Sequence, residues 1–167
     1  MCCNGVMFHF VKVQPGDSPK ALAALGLNLK RKRKQACFLQ PCPAHQDSKC
    51  SIYESRPVRC RIFECRQLHL LATETISQEE VSAKISEAKF LVSKVNALLL
   101  RFGQNNLNQP LHKRCEAVMA APVDPDSDQA LIGAHRQLAD AMDDLDALLD
   151  QNFRIELDSV DPSVDGP

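Results

Sequence analysis

Residues 50–65 of the chain read CSIYESRPVRCRIFEC, and this stretch decides what kind of fold the N-terminal part can adopt. It holds Cys50, Cys60 and Cys65, and Pro57 interrupts regular structure between them. A segment so short and broken offers little apolar area, and a small module without such area folds poorly by itself. Bound structural metal can add on the order of 10 kcal/mol of folding free energy. The stretch therefore predicts a module held together by cysteine-ligated metal.

Seven of the eight cysteines precede residue 66. We expect a cytoplasmic protein without membrane contact, because the sequence shows neither an apolar run of about 18 residues nor a secretory signal. Thiols stay reduced in the cytoplasm, so metal ligation explains the clustering better than disulfide pairing does. The predicted metal ligands are Cys2, Cys3, Cys37, Cys50, Cys60 and Cys65. For Cys42, between two prolines, a ligand and a bystander role stay equally open, and Cys115 is predicted to lie in a helical core.

The spacing of the cysteines does not identify the metal. From Cys37 to Cys65, successive cysteines are separated by 4, 7, 9 and 4 residues. None of these intervals is the Cys-x-x-Cys knuckle of zinc fingers, and the ferredoxin spacings are missing as well. Thiolates bind both zinc and iron. The spacing thus predicts zinc or iron, an iron-sulfur cluster included.

The pattern Cys-x-Ile-Tyr-x-x-Arg-Pro-x-x-Cys-Arg-x-Phe-x-Cys, over residues 50–65, resembles the YkgJ-type cysteine-cluster family, which is described as a zinc- or iron-chelating domain. The N-terminal signature of that family is Cys-x-x-Cys-x-x-Cys-Cys, and Cys2-Cys3 resembles its final pair. Because Met1 directly precedes this pair, we hypothesise that the natural start lies upstream, inside a truncated motif. The resemblance covers roughly residues 2–68 and implies metal chelation by the cysteines it contains.

The expected function is that of a cysteine-ligated zinc- or iron-binding protein whose cellular role is open. One alternative is an iron-sulfur redox or methyltransferase-type component, because the cluster is similar to those of flagellin lysine N-methylases. No phosphate loop, nucleophile elbow or His-Glu-x-x-His helix occurs. Whether the protein is an enzyme is therefore open, and any catalysis would come from the metal.

A second alternative is a zinc-stabilised nucleic-acid adaptor. Residues 30–34 are five consecutive cations, which would release counterions from a phosphate backbone. A solvated loop explains the same run, and eight aromatic side chains without Trp offer few surfaces for base stacking. His45 is a further ligand candidate beside the cysteines. Tyr53 is expected to fill the small core, with a catalytic role as the less favoured reading, and Arg56 to pair with a carboxylate or a cysteine sulfur.

Charge divides the chain at about the same place as the cysteines. Residues 1–70 hold 12 Lys and Arg against 4 Asp and Glu, whereas residues 71–167 hold 8 against 17. The net charge of -1 therefore hides a basic part and an acidic part. Such a division fits two halves that attract each other, and it equally fits a basic module with an acidic partner elsewhere.

The second part is predicted to be helical. Ser77 and Glu80 form a capping box ahead of an apolar stripe that ends at Gly103. A second helix is predicted to open at Pro110, and a third to run from after Asp124-Pro125 to about Asp150. The predicted fold class is mainly α: a small irregular metal module with a short strand or hairpin, over residues 1–70, followed by three C-terminal helices, over residues 71–152. Residues 153–167 are predicted to form a mobile tail.

Overall fold

The computed structural model describes residues 1–32, 34–121 and 129–155. The strands lie in the N-terminal part and form two sheets. In the first sheet the strand order is β1-β3-β2, and both pairs are antiparallel. A two-stranded antiparallel hairpin of β4 and β5 makes the second. The strands are β1 Phe10–Lys12, β2 Leu29–Lys32, β3 Gln35–Leu39, β4 His45–Gln46 and β5 Lys49–Cys50.

Six α-helices complete the described part of the chain. Three are short and belong to the first 72 residues, and a 3-10 turn at Tyr53–Ser55 precedes the second of them. The long helices α4 and α6 pack against each other, and the shorter α5 contacts both. The helices are α1 Pro19–Ala24, α2 Val58–Ile62, α3 Arg66–Ala72, α4 Gln78–Arg101, α5 Leu111–Met119 and α6 Gln129–Asn152.

Several helix ends follow from local sequence, and those of α4 are as predicted. The Ser18 hydroxyl accepts a hydrogen bond from the Ala21 amide at the start of α1. Ser77 and Glu80 form the predicted capping box at the start of α4. Gly103, just past the end of α4, has a φ of +69°, a left-handed conformation that glycine adopts without strain.

Two apolar cores hold the molecule together. The helical core is built from α4, α5 and α6, and Val6 and Met7 of the N-terminal segment are part of it. The module core is much smaller, consisting of Val13, Leu22, Leu27, Phe38 and Ala44. Phe153, just beyond α6, is buried in the helical core, whereas the predicted tail from residue 156 lies outside the described residues.

The mainly α prediction is wrong. The fold is mixed, with 53% helix and 11% strand, and its helices are not confined to the C-terminal part. The reason is that the segments between cysteines, which look irregular because prolines break them, gain backbone hydrogen bonds from distant segments. The first three cations of the basic run, Lys30, Arg31 and Lys32, lie in strand β2 and not in a loop.

Smaller differences concern the extent of single elements. The apolar alternation over residues 6–13 predicts a short strand, and only Phe10–Lys12 of it is formed. The apolar stripes of the second and third predicted helices place Met119 and Leu131 on buried faces, yet 41% and 40% of their surfaces are exposed. The predicted start of the third helix, after Asp124-Pro125, lies outside the described residues. Within the described residues no helix is sufficiently long and apolar to span a bilayer.

Candidate metal centre

Four segments bring cysteines to one cleft of about 1380 Å³, which we call the cysteine cleft and which Cys2 lines beside Cys3, Cys42, Cys50 and Cys60. Cys3 comes from the N-terminal turn, Cys42 from the loop after β3, Cys50 from β5 and Cys60 from α2. Up to 57 positions separate them in the sequence. Three of these thiols, those of Cys42, Cys50 and Cys60, also pack against the module core.

Backbone hydrogen bonds fix the segments that carry these thiols. The Cys42 amide donates to the Cys3 carbonyl at 2.8 Å, so the N-terminal turn is attached to the loop after β3. Cys50 lies opposite His45 in the β4-β5 hairpin. Asp17 ties α2 to the turn before α1, because its Oδ1 accepts from the Val58 amide at 2.8 Å. The four cysteines are therefore held by tertiary hydrogen bonds and sheet pairing.

The thiols lie within electrostatic range of one another. Burial, together with the neighbouring Cys3, Cys42 and Cys50, raises the pKa of the Cys60 thiol to about 12. Burial also raises the pKa of Cys42, with added contributions from Cys3 and Cys50. Arg56 opposes this effect at Cys3 and Cys60. The thiols of Cys3, Cys42 and Cys60 therefore stay protonated unless a cation compensates their charge.

Two more of the predicted ligands, Cys2 and Cys65, are near this group. Burial raises the pKa of Cys2, and both Cys3 and Cys65 add to the effect. Cys2 is therefore close enough to both Cys3 and Cys65 for its thiol to interact with theirs electrostatically. Cys2 lines the cleft, and both residues pack against the helical core.

Cys37 is the predicted ligand that the structure places elsewhere. It is 2% exposed and lies in β3 next to Phe38, whose side chain reaches the module core and the cysteine cleft. Neighbouring residues in a strand point to opposite faces. Cys37 accordingly lines a separate, smaller cavity with Phe10, Lys12, Lys32 and Gln35. Cys37 lies within a continuous apolar run, residues 36–39, and such a run is the signal from which a buried strand could have been predicted.

The predictions for Cys115, Tyr53, Arg56 and His45 have different outcomes. Cys115 is 4% exposed in the helical core, which confirms that prediction. Tyr53 does not fill a core, because 56% of its surface is exposed. The Arg56 guanidinium lies 3.6 Å from the centroid of the Tyr53 ring, and its Nε donates to the Tyr53 carbonyl at 2.9 Å. His45 lines the cysteine cleft and pairs with Cys50 in the hairpin.

As their side chains stand, no three His, Cys, Asp or Glu residues in the described ranges are close enough together to hold a metal ion. The donor set of the cleft nevertheless has the chemistry of a thiolate site, since four sulfur ligands suit zinc or iron. Cysteine has one side-chain torsion that moves its sulfur, and a rotation between staggered positions moves it without changing the backbone. The residues therefore fit such a metal in kind and number.

Comparisons with family models, with curated proteins and with solved structures found no match to this chain.

Proposed function

We propose that this protein binds zinc or iron through Cys3, Cys42, Cys50 and Cys60. The observation that carries the proposal is the convergence of four thiols, from four separate segments, on one cleft. Buried cysteines serve as small apolar side chains when they are scattered through a core. Four of them around a single cleft, half-buried and mutually repulsive when ionised, are better explained by a shared cation.

The energetic argument follows from the pKa values. The thiols of Cys3, Cys42 and Cys60 resist ionisation because burial raises the pKa of each and because neighbouring cysteines would repel its negative charge. A bound divalent cation reverses both effects, and the thiols release their protons as it binds. The small module core gains cohesion that its five buried apolar residues supply only in part.

A cluster function is the second candidate, and the position of Cys2 favours it. Cys2 lines the cleft beside the four proposed ligands, and its thiol interacts electrostatically with those of Cys3 and Cys65, so two more thiols are near the site. A surplus over four ligands suits an iron-sulfur cluster more readily than a single zinc ion. Membership in the YkgJ-type family and a cytoplasmic location stay part of the proposal, supported by the motif over residues 50–65 and by eight free cysteines.

The test is anaerobic purification of the full chain, followed by elemental analysis and a visible absorption spectrum. The expected metal content is about one ion or cluster per chain. The Cys60→Ser variant should lose it, since one converging thiolate is removed. The matched control is Cys37→Ser, which replaces a buried cysteine of the same module outside the cleft and should retain the metal.

The outcomes discriminate between the candidates. Colourless protein containing zinc supports a zinc site, and brown protein containing iron and acid-labile sulfide supports a cluster. Two results would contradict the proposal: wild-type protein that stays metal-free after reconstitution with zinc or ferrous iron, or equal metal loss in Cys37→Ser and Cys60→Ser.

A further inference from the structure

The walls of the cysteine cleft carry one sign of charge. Four cations line it and, within the described residues, no Asp or Glu does: the cations are Lys12, Lys49, Arg56 and Arg59. None of them takes part in an ion pair among the described residues. Strand β2 is an edge strand of the sheet that also contains β1 and β3. Its exposed Lys30, Arg31 and Lys32 extend the basic surface. The charge pattern selects an anionic ligand.

Aromatic side chains are concentrated in the same cleft. Five of the eight aromatic residues line it: Phe8, Phe10, Phe38, Tyr53 and Phe63. Tyr53 is 56% exposed, and the Arg56 guanidinium stacks on its ring. The Lys32 ammonium lies 4.1 Å from the centroid of the Phe10 ring. Phe38 is 1% exposed and belongs to the module core, so the rings that the cleft offers for stacking are those of Phe8, Phe10, Phe63 and, most exposed, Tyr53.

We infer that the cysteine cleft binds single-stranded nucleic acid. Exposed aromatic faces stack on bases whatever the sequence, while neighbouring cations follow the phosphates. The cleft, at about 1380 Å³, exceeds the roughly 300–1,000 Å³ typical of small-ligand pockets, so it suits an extended chain. An acidic peptide would satisfy the cations and leave the aromatic faces unused. The inference rests on cations and aromatic rings, and not on the thiols as direct contacts to the nucleic acid.

The experiment measures fluorescence anisotropy of a labelled 15-nucleotide oligothymidylate with the full-length protein. Binding should weaken with salt, with a slope of log K against log salt of about -3 if four phosphates are neutralised. An oligonucleotide of equal length with abasic sites keeps the phosphates and lacks the bases. It should bind about tenfold more weakly, because base stacking is lost.

Matched variants separate stacking from charge. Tyr53→Ala should weaken oligothymidylate binding about tenfold and leave binding of the abasic strand nearly unchanged. Its control is Phe90→Ala, since Phe90 is an aromatic residue on α4 with 69% of its surface exposed. Lys12→Ala should weaken the binding of both strands and make the salt slope less steep by about 0.7. The control for charge is Lys89→Ala on α4, which should leave the affinity for both strands unchanged.

Three results would overturn the inference. The first is equal affinity for the abasic and the normal strand, and the second is equal effects of Tyr53→Ala and Phe90→Ala. The third is competition by polyglutamate as strong as that by unlabelled oligothymidylate, which would assign the cleft to an acidic peptide instead. Metal content is measured in every sample, so that a failure of the metal proposal is seen separately.

Discussion

At the residue scale, two histidines join the N-terminal segment to the helices. The rings of His9 and His112 are stacked, with centroids 3.0 Å apart and planes inclined by 11°. Burial lowers the pKa of His112 to about 4, and the neighbouring His9 adds to the effect. Burial also lowers the pKa of His9, with Arg154 nearby. The stacked pair is therefore stable when both rings are neutral.

This contact predicts a pH dependence of stability. The folded-state pKa of His112 lies below its unfolded value of 6.5, so the unfolded chain binds more protons than the folded one between pH 6.5 and about 4. Stability should fall as pH drops through this window, and it should be fully present above it. The contribution is on the order of 1–2 kcal/mol after solvent screening is considered.

The measurement is chemical unfolding, followed by circular dichroism, at several pH values. His112→Phe keeps a stacked ring without a titrating group, so its stability should fall less than that of the wild type between pH 6.5 and 4. His69→Gln alters an exposed histidine on α3 and serves as the control. An identical pH profile for His112→Phe and the wild type would show that the stacked pair contributes nothing.

At the scale of elements, α4 depends on its first turn. The Ser77 hydroxyl accepts from the Glu80 amide at 3.2 Å, and a Glu80 carboxylate oxygen accepts from the Ser77 amide at 2.7 Å. Ser77→Ala should therefore lower the free energy of unfolding by about 1 kcal/mol. Ser82→Ala, an exposed change within the same helix, should have little effect or stabilise slightly. Thermal or denaturant unfolding compares the two, and equal midpoints would contradict the role of the cap.

The elements also show which structure can be predicted locally. The capping box of α4 and the serine cap of α1 are read from neighbouring residues, and both are present. Strand β3 is different, because its edges are paired with β1 and β2 from distant parts of the chain. Its register fixes the face to which Cys37 points. That register cannot be predicted from residues that are neighbours in the sequence.

At the scale of the whole molecule, the two cores differ in what holds them. Fifteen buried residues form the helical core, and five form the module core. If metal supplies the missing cohesion of the module, a chelator should unfold β1 to β5 and leave α4 and α6 folded. Arg66 and Gln67 belong to the boundary between the module and the helical core, because their side chains donate to backbone carbonyls at the end of α6.

Hydrogen exchange with and without a chelator measures this difference. Amides of the sheets should lose protection, whereas those in the middle of α4 and α6 should keep it. Exchange in Cys60→Ser without chelator should resemble that of the chelated wild type. Uniform loss of protection along the chain would show that the two cores unfold as one unit. Unchanged protection would show that the module needs no metal.

The sequence by itself determined the helix starts, the burial of Cys115 and the concentration of thiols and cations in the first 70 residues, because these depend on composition and on neighbours along the chain. Only the tertiary structure decided that Cys42 joins Cys3, Cys50 and Cys60 while Cys37 lies apart, and that most aromatic rings share their cleft. The physical reason is that sheet pairing and backbone hydrogen bonds between distant segments, such as that from Cys42 to Cys3, set which side chains meet.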